Sequence, residues 1–399
     1  MKFNIWKDYP RKPLPELLSF IVDNRGKSVP TSEDGTHILI ATNCIRNENL
    51  YPTYEKVRYF SDDVYNTWFR AHPIPGDIIF VNKGTPGRTC LVPDPIDFSI
   101  AQDMMAFRTN EEVLHNRYLL CVLRSHEIQE QIRLCSVGDT IPHFKKQFLD
   151  QLMIPIPPRE VQKCIADMYF SFSDKIALNQ QINKNLEEQA QAIYKDMLCE
   201  NDCKAVELQE LCTFQEGYVN PPQGNTEYFD GEVKWLRAVD INESYIINTS
   251  RTLTKEGFDS AKKSALLFEP DTIAISKSGT IGRLGIIGDY MCGNRAVINI
   301  KPKQKEMLPF IYLYLKSRQR EFEELAVGSV QKNLYVSLLE PLIVMIPKKD
   351  VLQSFCENAD RQFEMIKGNC LENERLSQIR DALLPRLMSG EIDVSGIEI

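Results

Sequence analysis

The sequence repeats itself, and this repeat constrains the fold more than any other feature. Residues 137–158 and 327–348 align without a gap at an offset of 190, so that Val137 corresponds to Val327 and Leu149 to Leu339. A chain of 399 residues is long enough for two or three domain cores. The repeat therefore predicts two copies of one domain in a single chain.

A glycine-rich pentapeptide occurs once in each half. Gly-Thr-Pro-Gly-Arg at 84–88 corresponds to Gly-Thr-Ile-Gly-Arg at 279–283, an offset of 195. Each follows an apolar run, at 77–81 and 271–275, that is typical of a buried strand. The drift of the offset from 190 to 195 is what a loop insertion produces between duplicated domains.

Each half has the same organisation. About 150 residues of short β-rich runs, broken by Gly, Pro, Asn and Asp, precede a helical segment that prolines introduce. The fold class is therefore α+β: two tandem pseudo-repeated α/β domains separated by two long helices. We predict a first domain at 1–158, a long helix at 159–199, a second domain at 200–348, a second long helix at 349–390 and a tail at 391–399.

Both helices carry residues at alternating spacings of three and four, the heptad pattern of a coiled coil. Over residues 160–197 a straight helix would be roughly 57 Å long, so a pair of such helices could act as a spacer. We predict that they form an antiparallel coiled coil through Ile176, Asn179, Asn183, Leu186 and Ile193 of the first helix and Ile366, Asn369, Asn373, Leu376 and Leu383 of the second. The asparagines allow two interpretations: polar residues tolerated near the surface, or buried pairs that fix register at some loss of stability.

The charge balance argues against a generally basic surface. Lys and Arg number 47 and Asp and Glu 55, giving a formal charge of −8, whereas nucleic-acid binders usually show a basic footprint. Any contact with DNA would therefore have to come from local clusters of cations. The eleven cysteines include no Cys-x-x-Cys pair, which favours reduced thiols and a cytoplasmic location. No apolar run reaches the roughly 18 residues of a membrane span.

The two glycine-rich loops are the leading candidates for DNA contact. Glycines let the backbone approach a ligand and expose amide groups that suit a phosphate oxygen. The alternative is a β-turn with charged flanks. The candidate contact residues are Lys83, Thr85 and Arg88 in the first loop and Lys277, Ser278, Thr280 and Arg283 in the second.

Four other polar residues are candidates for reading base edges. Asn43 and Arg46 follow a strand-like run in the first half, and Arg237 and Asp240 lie in the corresponding part of the second. Arg pairs well with guanine and Asn with adenine in the major groove. Solvated loop polarity is the simpler explanation for any one of them.

Motifs for catalysis are missing or incomplete. Asn220-Pro221-Pro222-Gln223 resembles the Asn-Pro-Pro-aromatic loop of adenine methyltransferases, but Gln stands where the aromatic residue should be. The chain has no Gly-x-x-x-x-Gly-Lys-Ser/Thr phosphate loop and no histidine spacing suited to a metal. We therefore expect a non-catalytic protein without a metal or cofactor.

The helical segments resemble those of the specificity subunits of type I restriction–modification systems. The resemblance is carried by Pro-Ile-Pro-Pro-Arg-Glu-Val-Gln-Lys-Cys-Ile-Ala at 155–166, the helix core at 175–187 and Leu-Pro-Arg-Leu-Met-Ser-Gly-Glu-Ile-Asp at 384–393. Residues 217–240 resemble the start of a target-recognition domain. Together with the repeated layout, the resemblance covers essentially the whole chain.

The resemblance implies a function and a set of partners. Each domain would read one half of a split DNA target, and the helices would set the gap and dock two methylation subunits. Motor–nuclease subunits would join for cleavage. S-adenosylmethionine, ATP and Mg would bind to those partners. A stand-alone or fused-type recognition module is the alternative, and an adenine methyltransferase acting through Asn220 a weaker one.

Overall fold

The computed structural model describes residues 4–24, 26–54, 56–138, 140–328 and 332–392. Residues 393–399 of the predicted tail lie outside this set. The chain forms two compact units, one of residues 1–178 and 375–399 and the other of residues 179–374. Each unit therefore combines one strand-rich domain with part of both long helices, and the domain limits drawn above remain a prediction.

The first unit contains two sheets and a separate strand pair. One sheet has the strand order β2-β8-β5-β6, the second has the order β4-β3-β7, and β1 pairs with β9. In the second sheet β3 is parallel to β7 and antiparallel to β4. The strands are β1 (Arg11–Pro13), β2 (Leu18–Asp23), β3 (His37–Ile40), β4 (Arg58–Phe60), β5 (Ile78–Val81), β6 (Thr89–Leu91), β7 (Phe98–Ile100), β8 (Met104–Thr109) and β9 (Met153–Pro155).

The second unit repeats this topology with two additional edge strands. Its strands are β10 (Lys204–Glu207), β11 (Cys212–Glu216), β12 (Phe229–Leu236), β13 (Tyr245–Ile246), β14 (Thr252–Leu253), β15 (Leu267–Phe268), β16 (Ile273–Ser276), β17 (Leu284–Ile287), β18 (Met291–Gly293), β19 (Val297–Pro302) and β20 (Ile343–Ile346). The sheet orders are β11-β19-β16-β17-β13 and β14-β12-β18-β15, and β10 pairs with β20. Without β13 and β15 these orders match those of the first unit, so the sequence repeat is a repeat of topology.

The helices are α1 (Ile5–Asp8), α2 (Asp62–Thr67), α3 (Asn116–Arg124), α4 (His126–Cys135), α5 (Arg159–Glu200), α6 (Leu208–Leu211), α7 (Lys255–Asp259), α8 (Leu308–Ser317), α9 (Phe322–Leu325), α10 (Val336–Leu339) and α11 (Lys349–Met388). The long helices α5 and α11 contain 42 and 40 residues. Each begins just after the prolines that the sequence placed at its boundary. Helix α11 continues through Pro385 and ends before Gly390, whose φ of +72° favours glycine.

Each strand-rich domain packs against the long helices of its own unit. In the first unit Phe170 of α5 and Leu387 of α11, both fully buried, belong to the same apolar cluster as Phe80 and Phe107 of the sheet. In the second unit Tyr194 of α5 and Phe363 of α11 share a cluster with Ile275 and Phe310. The α+β fold with paired long helices, predicted from the sequence, is confirmed.

Among the described residues, no helix is long and apolar enough to cross a membrane. All eleven cysteines fall within the described ranges, and all are free thiols.

The two long helices run antiparallel, and their asparagines meet across the seam. Asn179 donates to Asn373 Oδ1 at 2.9 Å, and Asn369 donates to Asn183 Oδ1 at 2.7 Å. Asn179 is fully buried and Asn183 is 9% exposed. The structure thus brings the four asparagines together as two pairs, in which the α5 asparagines are buried and Asn369 and Asn373 are partly buried, an arrangement that favours one register.

The other predicted seam positions differ in burial. Ile176 and Ile366 are buried, each 4% exposed, and Leu186, Leu376 and Leu383 are partly buried. Ile193 is 49% exposed because it lines an open groove between α5 and α11 in the second unit, opposite Phe355 and Ala359.

The pairing of Asn179 with Asn373 predicts different effects on stability for a single and for a double substitution. Asn373→Leu alone removes one of the two acceptors of the buried Asn179 amide, the other being Glu372 Oε2 at 2.7 Å, and we expect it to destabilise the second unit by about 1 kcal/mol. Asn179→Leu combined with Asn373→Leu replaces both amides by apolar groups and leaves the partly exposed Glu372 to be solvated, so it should recover most of that loss. Urea unfolding followed by circular dichroism measures both. A double variant no more stable than the single one would contradict this account.

Candidate DNA interface

The first glycine-rich loop joins β5 to β6 and is closed by backbone hydrogen bonds. Val81 N–H donates to Arg88 O at 2.9 Å and Gly87 N–H to Val81 O at 3.0 Å. At its start Asn82 N–H donates to Asp103 O at 3.0 Å, while Asn82 O accepts from the N–H of Phe144 at 2.7 Å. The loop is thereby fixed between β8 and the segment that follows α4.

The second loop, between β16 and β17, is closed by the same four bonds. Ser276 N–H donates to Arg283 O at 2.9 Å and Gly282 N–H to Ser276 O at 3.0 Å. Lys277 N–H donates to Ala296 O at 2.7 Å, and Lys277 O accepts from Leu334 N–H at 2.9 Å. The matching sequence motif therefore encodes a matching loop conformation, whatever the side chains do.

The glycines are required by this conformation. Gly84, Gly87, Gly279 and Gly282 have φ values between +77° and +94°, a region that residues with a Cβ rarely adopt. At Gly84 and Gly279 a Cβ would meet nothing within 4 Å, so backbone geometry and not packing demands glycine there. The turn interpretation thus explains the glycines, and the open space in front of them leaves room for a ligand.

The first loop presents its cations with little internal compensation. Lys83 is exposed and lies 3.9 Å from Asp103, at the limit of an ion pair. The Arg88 side chain has no hydrogen bond or ion pair to another residue that the structure describes, and Thr85 is exposed. The loop could therefore offer positive charge to a phosphate.

Two lysines near this loop were not singled out by the sequence analysis. Lys145 follows Phe144, which is bonded to the loop, and is exposed. Lys146 pairs with Asp23 at 2.9 Å. The ungapped repeat at 137–158 gives no signal for them, because it aligns Lys145 with Tyr335 and Lys146 with Val336.

The second loop is more compensated. Lys277 Nζ lies 2.9 Å from Glu216 Oε1 and 4.9 Å from the centre of the Tyr335 ring. Ser276, fully buried, accepts the Arg283 N–H on its hydroxyl at 2.8 Å. Ser278, Thr280 and Arg283 are partly exposed. Lys277 is thus engaged within the domain, and Arg283 acts electrostatically on Glu243.

The predicted base-reading residues lie in or next to two corresponding 3-10 turns, Thr42–Cys44 and Ala238–Asp240. Asn43 and Arg46 are partly exposed. Arg237 donates to Ser250 at 2.6 Å, and the Asp240 side chain, 4% exposed, accepts the Arg237 N–H at 2.9 Å. Asp240 therefore caps its own turn, and Arg237 is largely engaged by residues of the same domain.

Side chains of α3 and α4 support the first loop from inside its unit. Gln129 donates to Gly87 O at 3.0 Å. Arg124 donates to Thr89 O at 2.7 Å and to Asn49 O at 2.8 Å, which joins β6 to the segment after the 3-10 turn. These bonds engage backbone carbonyl oxygens in and next to the loop, and they hold the end of the loop that leads into β6 in place.

Helix α11 contributes a buried cation to the same region. Arg380, 2% exposed, donates to Glu48 O at 3.1 Å and lies 5.7 Å from the centre of the Tyr169 ring. Ala190, the corresponding residue of α5, is fully buried without a polar group. The repeat has thus diverged at this position from an apolar contact to a polar one.

In the second unit a network of charged side chains lies beside α5. Lys316 lies 2.9 Å from Glu243 and 3.3 Å from Glu187 of α5. Burial raises the pKa of Glu187, and Lys316 offsets only part of the increase. Burial acts the same way on Glu243, but Lys316, Gln319 and Arg283 together bring its pKa below the usual value. The network links α5 electrostatically to Arg283 of the second loop.

The segment that resembles a methyltransferase motif has a structural role. Val219 O accepts the indole N–H of Trp235 at 2.8 Å, and Pro221 is buried. Within the described ranges, no group of three or more His, Cys, Asp or Glu side chains is arranged to hold a metal.

Duplicated strand-rich domains, each with a cation-bearing loop and a share of a paired helix, define the architecture of a two-domain recognition protein. A family model for the type I restriction modification DNA specificity domain matches residues 33–188 and 200–380. The chain therefore belongs to this family and contains two copies of its domain.

Individual proteins agree with this assignment. The type I restriction enzyme HindI specificity subunit of Haemophilus influenzae is 24% identical over 400 residues, covering 79% of this chain and 86% of that protein. The MjaIX specificity subunit of Methanocaldococcus jannaschii is 24% identical over 344 residues, covering 80% and 78%. The S subunit of a type I restriction-modification system from M. genitalium, at 16% identity, shares the fold with a TM-score of 0.51 over 97% of this chain and 98% of that chain.

Proposed function

We propose that this chain recognises a bipartite DNA sequence for a type I restriction–modification complex, each domain reading one half of the target. The observation that carries the proposal is the duplicated loop, closed by the same four backbone bonds in both units. Side chains at corresponding loop positions differ: Asn82 corresponds to Lys277, and Lys83 to Ser278. Such differences favour two unlike half-sites and hence an asymmetric target.

The paired helices are proposed to set the gap between the half-sites. A spacer needs a fixed register, and the two asparagine pairs favour one. A slip by one heptad would leave these amides without partners, each at a cost of about 1–3 kcal/mol.

The same helices are proposed to dock two methylation subunits, and motor–nuclease subunits would join for cleavage. In the second unit α5 and α11 border a groove of about 790 Å³ with a mainly apolar lining that includes Ile193, Met197, Val351 and Phe355. A groove of this kind suits an amphipathic helix of a partner. S-adenosylmethionine, ATP and Mg would be bound by those partners, and this chain would be non-catalytic.

Co-expression with a methylation subunit tests the function. We expect the two proteins to copurify and the host DNA to carry methylated adenines at one split motif, absent when this chain is omitted. Methylation that does not depend on this chain would contradict the proposal. Methyl transfer from S-adenosylmethionine by the purified chain alone would contradict its non-catalytic role.

A variant of the groove tests docking in the same experiment. Ile193→Glu places a charge in the apolar groove on a side chain already 49% exposed, so we expect weaker copurification without unfolding. Leu134→Glu, at a 73% exposed position of α4, is the matched control and should copurify normally. Equal behaviour of the two variants would exclude this groove as the docking site.

A further inference from the structure

Arg251, partly exposed, and Gln223, exposed, form a polar pair on an aromatic base in the second unit. The guanidinium carbon of Arg251 lies 4.2 Å from the centre of the Phe229 ring and 6.0 Å from that of Trp235. Its Nη1 donates to Gln223 Oε1 at 2.8 Å. Neither residue belongs to the contacts discussed so far.

The aromatic base is rigid. Phe229 and Trp235 are 6% and 3% exposed, their ring centres are 5.9 Å apart, and the indole N–H is bonded to Val219 O. The backbone of Arg251 is fixed as well, since its carbonyl accepts from Trp235 N–H at 3.3 Å and from the Thr249 hydroxyl at 2.8 Å. A guanidinium held over such a base loses little entropy when it binds a ligand.

Arg251 also differs from Arg237, the arginine that the sequence suggested. Arg237 lies 3.6 Å from the carboxylate of Asp240 and donates to Ser250. Arg251 forms no ion pair with any residue in the described part of the chain, and its charge is therefore uncompensated. It is partly exposed, with the exposed side chain of Gln223 beside it.

The hydrogen bond within the pair determines what the pair can read. A free glutamine recognises adenine by donating to N7 and accepting from N6, whereas the Gln223 carbonyl oxygen already accepts from Arg251 on one of its two lone pairs, which orients the amide toward the guanidinium. The remaining Nε and Nη2 groups of Arg251 and the Gln223 amide nitrogen are all donors. Guanine is the base that presents two acceptors, O6 and N7, in the major groove.

A short stretch of chain connects the pair to Glu216, which forms an ion pair with Lys277 of the second loop. Glu216, the partner of Lys277, precedes Gln223 by seven residues, so the two lie at most about 25 Å apart. A phosphate contact by the loop and a base contact by the pair could therefore fall within one half-site.

We propose that Arg251, oriented by Gln223, reads a guanine in the half-site of the second domain. This inference rests on the proposed function and names a specificity-determining pair within it.

Methylation mapping with the co-expressed complex tests the inference. Arg251→Lys keeps the charge but loses the planar fork, and Gln223→Ala removes the orienting group. We expect each variant to relax the preference for guanine at the same single position, Arg251→Lys by about tenfold, with the other half-site and the gap unchanged. Arg320→Lys, at an exposed position of the same unit, is the control and should leave the motif intact.

The outcomes separate the two proposals. A split motif that stays unchanged in the Arg251→Lys or Gln223→Ala complex would overturn the base-reading role while the proposed function stands. If Arg251→Lys abolished methylation through misfolding, the motif methylated with Gln223→Ala would decide the base-reading role, because the Gln223 side chain is exposed and its removal should not unfold the domain. No split motif from the unaltered chain would overturn the proposed function itself.

Discussion

Removing residues 177–183 of α5 together with residues 369–375 of α11 is expected to shorten the gap of the methylated target by two to three base pairs. Seven helical residues span about 10.5 Å, which corresponds to about three base pairs at 3.4 Å each if the helices follow the DNA axis and fewer if they are inclined. Mapping of methylated adenines in cells that express the shortened chain together with a methylation subunit measures the gap directly.

These segments are chosen because the antiparallel register matches them. The pairing of Asn179 with Asn373 and of Asn183 with Asn369 means that both pairs leave together. The same register places Ile176 opposite Leu376 and Leu186 opposite Ile366, so apolar layers remain on both sides of the cut. Removal of one heptad also preserves the 3.5-residue phase of the seam.

Deletion of residues 177–183 alone is the control. It leaves Asn369 and Asn373 without partners, and we expect loss of stability and of methylation, not a new gap. An unchanged gap with the matched deletion would rule out the helices as the spacer. A shortened gap would also rotate one half-site by up to about 100° around the DNA, at 10 to 10.5 base pairs per turn, so slower methylation is expected with it.

The fold was predictable because duplication doubles every local signal. Apolar runs such as Ile78–Val81 and Ile273–Ser276 are fully buried strands in both units, and prolines mark the start of both long helices. The structure also shows where part of the change in offset between the two repeats, from 195 to 190, arises. The ten-residue α4 of the first unit is replaced in the second by the shorter combination of the turn Gln319–Glu321 and the four-residue α9. The two-residue edge strands β13 and β15 are too short to leave a periodic pattern.

The candidate site was only partly predictable, since its chemistry depends on partners far apart in sequence. The glycine motif identified both loops, but nothing near Lys277 indicates that Glu216, 61 residues away, would pair with it. Likewise Gln223 drew attention as a defective methyltransferase motif, while Arg251, 28 residues later, is what defines its environment. Local patterns specify turns and strands; tertiary packing decides which cations remain available.

Replacing Lys83 and Arg88 together by alanine is expected to weaken DNA binding about tenfold near physiological salt without changing the preferred sequence. The two side chains are the least compensated cations of the first loop, and phosphate contacts carry no base information. If each side chain contacts one phosphate, the negative slope of log affinity against log salt concentration should become shallower by about 1.8. Binding of the purified complex to a target duplex and a scrambled duplex, measured at several salt concentrations, gives both quantities.

The corresponding change in the second loop, Lys277→Ala with Arg283→Ala, is the internal comparison. Because Lys277 is paired with Glu216, this variant should lose fewer phosphate contacts than the first-loop variant. The slope of log affinity against log salt concentration should therefore become shallower by less than about 1.8. The substitution also uncovers the Glu216 carboxylate, whose repulsion of phosphate lowers affinity for both duplexes alike. A larger change of slope in the second loop would show that the Lys277–Glu216 pair opens on DNA, and a changed sequence preference from either variant would show that the loops read bases.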